Sequence, residues 1–164
     1  MKVLSILRHA KSSWKSDAVD DHDRPLNKRG LRDAPRMGEL LREQGLVPEA
    51  IVSSTARRAR ETALAVAAAT GFPDDVRFTR SLYGASIDIC LEVLAELPDT
   101  ITHALIVGHN PTLEGLVAAL VGETHVMPTA ALAIVELPVG SWRDLDGASR
   151  GSLRALWRPR ELGE

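Results

Sequence analysis

Short apolar runs alternate with segments of helical periodicity along most of this chain, and this alternation restricts the possible folds more than any other feature. Four of the runs are predicted to be short strands: residues 3–7, 50–53, 76–78 and 102–107. The first of them, residues 3–7, is apolar enough for a strand buried on both faces. Helices are predicted to begin at Asn27, at Ser54 or Thr55, at Ser86 and at Pro111. Strands that alternate with helices predict an α/β fold with a mainly parallel sheet.

The last fifth of the sequence departs from this alternation. Two further strands are predicted at residues 131–137 and 152–157, joined by a loop rich in Gly, Ser and Asp. They predict an antiparallel hairpin at one sheet edge. The expected architecture is a three-layer α/β/α sandwich, and its size and the lack of a linker or repeat predict a single domain over residues 1–164.

Charge and composition make several function classes improbable. The net charge of −2, from 20 basic and 22 acidic residues, lacks the basic excess of a general nucleic-acid binder. No apolar run reaches the roughly 18 residues of a membrane span, and Arg8 interrupts the first run too early for a signal peptide. The single cysteine, Cys90, cannot form an internal disulfide. We therefore expect a cytoplasmic protein with no nucleic-acid or membrane partner.

Side chains suited to phosphate chemistry collect near the predicted carboxyl ends of three strands. Arg8 and His9 follow the first strand, His109 follows the strand at 102–107, and Arg58 lies about one helical turn after the second strand. In open α/β sheets, ligands bind beyond the carboxyl ends of the strands. Arginine also suits multidentate recognition of phosphate oxygens. Because these groups would repel one another in an empty site, the sequence predicts a pocket for a phosphoryl group.

Five ordered sequence blocks lie between Met1 and about Val121: LRHAKSSW at 7–14, DRPLNKRG at 23–30, SSTARRARETA at 53–63, LYGA at 82–85 and VGHNPTLE at 107–114. Together they resemble the histidine phosphatase superfamily with its phosphoglycerate mutase-like fold, and within it the short SixA-type phosphohistidine phosphatases. The resemblance implies that His9 is the nucleophile that accepts the phosphoryl group. It further implies that Arg8 and Arg58 hold the phosphoryl oxygens and that His109 is the second, phosphate-stabilising histidine.

Neighbouring residues leave some assignments open. Arg57 stands beside Arg58, and the spacing to Glu61 favours Arg58 as the family's arginine. Lys11 and Ser12 add a cation and a hydroxyl as further candidate phosphate-binding groups. A neutral histidine attacks phosphorus only through an unprotonated nitrogen, so we expect a backbone carbonyl to hold the proton of His9 on its other nitrogen. We expect no metal or cofactor, because the arginines supply positive charge, and we expect phosphate or sulfate to occupy the site.

The general acid of the larger family has no clear counterpart. Mutases and sugar phosphatases of the superfamily carry a glutamate in a longer insert, whereas residues 81–85 here read SLYGA. Asp21, Asp23 and Asp88 remain candidate acids. A nitrogen leaving group departs more easily than an alkoxide, so the missing glutamate favours a phosphoramidate substrate such as phosphohistidine.

The predicted function is a metal-independent phosphatase acting through a phosphohistidine on His9, with a phosphohistidine protein as the favoured substrate. The alternatives are a phosphomonoesterase acting on a small phosphorylated substrate, and a phosphate- or phosphopeptide-binding module without turnover. A histidine metal site is the weakest alternative, because arginines beside a cation would repel it. Outside the site, we expect His103 in a strand, His22 and His125 on the surface, and Arg24 and Arg29 ordering the acidic loop that carries Asp17, Asp20, Asp21 and Asp23.

Overall fold

The computed structural model describes residues 1–15, 20–148 and 150–163, so Asp17 of the acidic loop lies outside the described residues. Six strands are present: β1 (Lys2–Arg8), β2 (Ala50–Ser54), β3 (Arg77–Thr79), β4 (His103–Gly108), β5 (Leu132–Leu137) and β6 (Ser152–Trp157). The α-helices of the described chain are α1 (Lys28–Glu43), α2 (Arg57–Thr70), α3 (Ile87–Ala95) and α4 (Thr112–Val121). No described helix is long and apolar enough to cross a membrane.

All six strands form one sheet in the order β3-β2-β4-β1-β5-β6. The first four strands in this order pair in parallel, whereas β5 is antiparallel to β1 and β6 is antiparallel to β5. The predicted mainly parallel sheet with an antiparallel C-terminal edge is therefore confirmed. Its β2-β4-β1 centre brings the carboxyl ends of three strands side by side.

Helices cover both faces of the sheet, which makes the three layers predicted from the sequence. Leu4 and Ile6 of β1 are buried in one core, and Leu7 of the same strand is buried in the other. The first core includes side chains of α3 and α4, and the second includes side chains of α1 and α2. Because parallel strands are covered on both sides, these runs are almost continuously apolar rather than alternating.

The helix starts follow the sequence signals in two cases and depart from them in another. Asn27 and Ser86 cap α1 and α3, where their side chains accept the backbone N–H groups of Gly30 and Ile89. The prediction that Ser54 or Thr55 caps α2 is wrong, because Ala56 holds that position without a side-chain cap bond. The Ser54 hydroxyl instead lies between the Ala56 N–H and His109.

Candidate active site

The two site histidines are neighbours although they lie 100 positions apart in the sequence. Arg8 pairs with Gly108 in the parallel β1–β4 register, so the residue that follows each strand leaves the sheet at the same point. The His9 backbone N–H donates to the Gly108 carbonyl at 3.0 Å. The two imidazole centroids are 5.2 Å apart. Strand pairing thus creates the two-histidine arrangement.

A hydrogen bond to the backbone fixes the tautomer of the neutral His9 ring. Its Nδ1 lies 2.7 Å from the Ala10 carbonyl oxygen, which can only accept a hydrogen bond, so Nδ1 carries the proton. The lone pair of the neutral ring is therefore on Nε2. Burial lowers the pKa of His9 to about 3 against the opposing effect of the Ala10 bond, and the charges of His109, Arg58 and Arg8 lower it further. The expected carbonyl partner is confirmed, and His9 is a neutral base at pH 7.

The two arginines approach the histidines from different elements. Arg58, in the first turn of α2, is buried, and its charge depresses the pKa values of both His9 and His109. Arg8 is the last residue of β1, and its charge also lowers the pKa values of these two histidines. Arg57 is half exposed and pairs with Glu61 at 3.7 Å. The structure therefore brings Arg8 and Arg58 to the histidines, whereas Arg57 faces Glu61.

A small polar frame holds Arg8 in position. The Met127 carbonyl accepts from Arg8 Nη1 at 3.1 Å and from Asn110 Nδ2 at 2.8 Å. The Met127 N–H donates to the Glu114 carboxylate at 2.7 Å. Burial lowers the pKa of Arg8, and the Glu114 charge opposes this shift. Asn110 and Glu114 belong to the VGHNPTLE block, but their partner Met127 lies on a segment that carries no motif.

Two nitrogen atoms in the site are buried without a hydrogen-bond partner among the described residues: Arg8 Nε and His109 Nδ1. Buried polar atoms are nearly always paired, so two nitrogens that no described residue pairs with mark a place where a ligand could bond. Arg8 Nε is always a donor, so the group that it can bond is an acceptor. Together with the surrounding positive charge, these two unpaired nitrogens suit the binding of an anion rich in acceptor oxygens.

Asp21 is hydrogen-bonded to the Arg58 guanidinium in this structure. Arg58 donates through Nη1 to the Asp21 carbonyl at 2.7 Å and through Nη2 to its carboxylate at 2.9 Å. Tyr83 and Arg24 donate to the same carboxylate at 2.8 and 2.9 Å. Partial burial acts to raise the pKa of Asp21, but the hydrogen bonds from Tyr83 and Arg58 and the Arg58 charge outweigh it and lower the pKa to about 2. Asp21 is therefore an ionised acceptor at neutral pH.

The other two candidate acids lie away from these groups. Asp23 is exposed, with His22 at 3.7 Å, and Asp88 is an exposed residue in the first turn of α3. Of the three carboxyl groups, Asp21 alone is bonded to a site arginine. Sequence spacing could not choose among them, because the choice depends on how the loop before Arg24 folds back over α2.

Lys11 and Ser12 are placed differently from each other. The Ser12 hydroxyl accepts a hydrogen bond from Arg24, whose guanidinium also lies 3.4 Å from the centroid of the exposed Trp14 ring. Lys11 is half buried and forms no ion pair within the described chain. Arg24 orders the acidic loop as predicted, through Asp21.

Two peripheral predictions are corrected by the structure. Arg29 forms no ion pair with the acidic residues 20, 21 and 23 of the described part of the loop: it bonds to Thr129 at 3.2 Å and lies 4.0 Å from Asp33 on its own helix. His22 lies on the rim of the site rather than on the open surface. Its Nε2 is 2.9 Å from Thr55 Oγ1, and its ring meets the Tyr83 ring edge-on at 4.9 Å. Tyr83 in turn lies 5.7 Å from the His109 ring.

The fold and site define an α/β protein with two histidines and two arginines at the carboxyl edge of a parallel sheet. Residues 4–83 match the family model of the histidine phosphatase superfamily, branch 1. An uncharacterized protein of Mycobacterium tuberculosis (strain H37Rv) is 36% identical over 151 residues, covering 85% of this chain and 92% of its own length. The chain belongs to the histidine phosphatase superfamily.

Solved structures place the chain beside the SixA proteins within this superfamily. A structure described as a SixA phosphohistidine phosphatase, from Nakamurella multipartitia, is 30% identical with a TM-score of 0.82 and covers 96% of each chain. A protein histidine phosphatase SixA complexed with tungstate is 26% identical with a TM-score of 0.82, covering 98% of this chain and 99% of its own. The resemblance predicted from the five sequence blocks is confirmed.

The buried histidines make the stability of the protein dependent on pH. Burial lowers the pKa of His9 to about 3 and the pKa values of His103 and His109 to about 4. In the unfolded chain these histidines bind a proton near pH 6.5. The unfolding free energy therefore has its full value above that pH. At lower pH it decreases, by at most about 1.4 kcal/mol per pH unit for each histidine. Urea unfolding at about pH 7 and about pH 5 should show this loss. A smaller loss is expected for His103→Gln, and equal unfolding free energies at both pH values would contradict the prediction.

Proposed function

We propose that the protein is a phosphatase that works through a phosphohistidine on His9 and removes phosphoryl groups from phosphohistidine in proteins. One observation carries the proposal: the Ala10 bond places the lone pair of His9 on Nε2, in a ring that the charges of two arginines and a second histidine act on, and two buried nitrogens of the site have no partner within the part of the chain that the structure describes. A nucleophile and a cluster of oxygen-binding groups are the two requirements of phosphoryl transfer.

The first step transfers the phosphoryl group to the enzyme. His9 Nε2 forms a bond to phosphorus while the bond from phosphorus to the leaving nitrogen breaks. The leaving imidazole already carries a proton on its other nitrogen, so it takes the electron pair of the broken bond and departs as a neutral ring. Arg8 and Arg58 hold the phosphoryl oxygens, and His109 lies beside them. Fixed donors of this kind stabilise the charge that spreads over the oxygens in the transition state.

The second step releases phosphate. Water attacks phosphorus, the bond to His9 Nε2 breaks, and the imidazole recovers its lone pair while the water proton leaves with the phosphate or to solvent. The low pKa of His9 keeps the released ring neutral and ready for another cycle. The Ala10 carbonyl holds the Nδ1 proton in both steps.

We propose that the reaction needs no metal, because Arg8 and Arg58 supply fixed positive charge where phosphoryl oxygens would lie. Among the residues that the structure describes, no three His, Cys, Asp or Glu side chains are grouped to hold a metal ion. Phosphate release measured in the presence and absence of EDTA tests metal independence directly.

The state of Asp21 supports a nitrogen leaving group. Its carboxylate is ionised and bonded to Arg58, so it has no proton to give to an alkoxide in the free protein. An imidazole leaving group that already carries a proton on its other nitrogen does not need such an acid. Asp21 is nevertheless bonded to the phosphate-binding arginine, and this position favours a phosphomonoesterase acting on a small substrate as the second candidate function. Substrate binding at Arg58 would then release Asp21 and raise its pKa.

Phosphate release from a phosphohistidine peptide and from p-nitrophenyl phosphate, with EDTA present, separates these functions. The proposal predicts that the wild-type protein releases phosphate from the phosphohistidine peptide far faster than from the ester. Release from the ester alone would favour the phosphomonoesterase. Tight binding of either compound without release would identify a phosphate-binding module and contradict the proposal.

Asp21→Asn should strengthen phosphate binding, because a neutral amide competes less for Arg58 than a carboxylate does. We expect inorganic phosphate to inhibit at a concentration lower by about two- to fivefold, the amount set by a partly exposed ion pair. Turnover of the phosphohistidine peptide should persist. Asp23→Asn is the matched control, because Asp23 lies beside His22 rather than Arg58. Unchanged or weaker inhibition in Asp21→Asn would refute the competition.

A further inference from the structure

We infer that Ser54 is a positioning residue whose hydroxyl donates to His109 Nε2 and thereby holds the second histidine with its proton on Nδ1, facing the phosphoryl group. The consequence for catalysis rests on the proposed function. The hydrogen-bond assignment itself rests on the geometry around Ser54 and can be tested without turnover.

Ser54 is the last residue of β2, and its side chain is fully buried. Its Oγ has two hydrogen-bond contacts within the described chain, the Ala56 N–H at 3.1 Å and His109 Nε2 at 2.8 Å. A backbone N–H can only donate, so Oγ is the acceptor toward Ala56. That bond fixes the hydroxyl at the turn between β2 and α2.

Counting donors and acceptors then assigns the proton on the His109 ring. If Nε2 carried the proton, Ser54 Oγ would accept from two N–H groups and its own O–H would lack an acceptor in a fully buried position. If Ser54 donates to Nε2 instead, both of its contacts are satisfied and the proton of the neutral ring lies on Nδ1. The second arrangement leaves no buried hydroxyl unpaired, and unpaired buried groups are costly.

The same assignment explains the orphaned nitrogen on His109. Nδ1 is buried without a partner among the described residues. The His109 ring to which it belongs lies 5.2 Å from the His9 ring, centroid to centroid, and the charges of Arg58 and Arg8 act on it. As an N–H donor it matches an oxygen of a phosphoryl group. As a bare lone pair it would repel that oxygen. Ser54 therefore determines whether His109 can serve as a phosphate donor.

Nitrogen-15 NMR of the histidine rings tests the assignment in the wild-type protein at neutral pH. The inference predicts that His109 has a protonated Nδ1 and an unprotonated Nε2 in the free protein. In Ser54→Ala, the neutral Nδ1–H ring loses its stabilising donor, so the pKa of His109 should rise and the Nε2–H form should appear. A wild-type His109 protonated on Nε2 would overturn the inference, whatever the activity of the protein.

Kinetics test the consequence. Ser54→Ala should lower kcat/KM by about 10- to 100-fold, less than the loss of a direct phosphate donor, and Ser54→Thr should restore much of it by restoring the hydroxyl. Ser53→Ala is the matched control: Ser53 is equally buried on the same strand, but its hydroxyl donates to the Ser54 carbonyl. Equal losses in Ser53→Ala and Ser54→Ala, with the His109 tautomer unchanged, would show a structural role and overturn the inference. If no variant or wild type turns over substrate, the proposed function fails and the NMR result still decides the assignment.

Discussion

Replacing His9 with alanine should abolish phosphate release while leaving the fold intact. The substitution removes the Nε2 lone pair that the Ala10 hydrogen bond fixes in place, and no second unprotonated nitrogen takes its position. Loss of a nucleophile in a covalent mechanism lowers kcat by about four orders of magnitude or more. The measurement is phosphate release from a phosphohistidine peptide under saturating substrate.

The control for this substitution is His125→Ala. His125 pairs with Glu123 at 3.3 Å, after the end of α4, and takes no part in the arrangement around His9. Its loss should leave turnover near the wild-type rate. Circular dichroism and thermal unfolding should confirm that both variants are folded. A folded His9→Ala protein with more than a few per cent of wild-type turnover would exclude His9 as the nucleophile.

Replacing Arg58 with alanine should lower kcat/KM by about two to three orders of magnitude, the usual effect of losing one preorganised charge donor. Arg58 is buried next to both histidines, so its charge acts in surroundings that water screens poorly. Its loss should also weaken inhibition by inorganic phosphate. Steady-state kinetics with phosphate as the inhibitor measure both effects.

Arg57→Ala provides a matched comparison one residue away. Arg57 is half exposed and pairs with Glu61, so its removal should change kcat/KM by less than about twofold, as expected for an exposed ion pair. Both variants remove one arginine from the first turn of the same helix. Equal losses in the two variants would indicate a general charge effect and contradict the assignment of Arg58 as the phosphate-binding residue.

The fold could be predicted largely because its central strands are buried on both faces. β1 and β4 are short and have largely apolar centres, and helical periodicity separates them from their neighbours. Parallel pairing of adjacent strands then places His9 beside His109, although the two residues are far apart in the sequence. The SixA-like blocks add the residue roles, which remain proposals until the variants above are measured.

The contacts that could not be predicted depend on loops and on the direction of individual side chains. The Asp21 carboxylate reaches Arg58 because residues 21–23 form a short 3-10 helix that folds back over α2, and no periodicity marks such a path. Ser54 looked like a helix cap because serine favours that role, but tertiary structure turns its hydroxyl toward His109. In the sequence His22 has the features of an ordinary loop residue. Its contacts with Tyr83 and Thr55, which place it on the rim of the site, are visible only in the structure.

The most direct test of the covalent mechanism is to trap the phosphoryl group on the enzyme in a single turnover. Excess protein is mixed with a peptide carrying radiolabelled phosphohistidine, quenched in base at increasing times, and digested to locate the label. The mechanism predicts a transient, base-stable and acid-labile label on His9 that rises before free phosphate and is absent from His9→Ala. Phosphate release without labelled protein at any time, or a label on another residue, would contradict it.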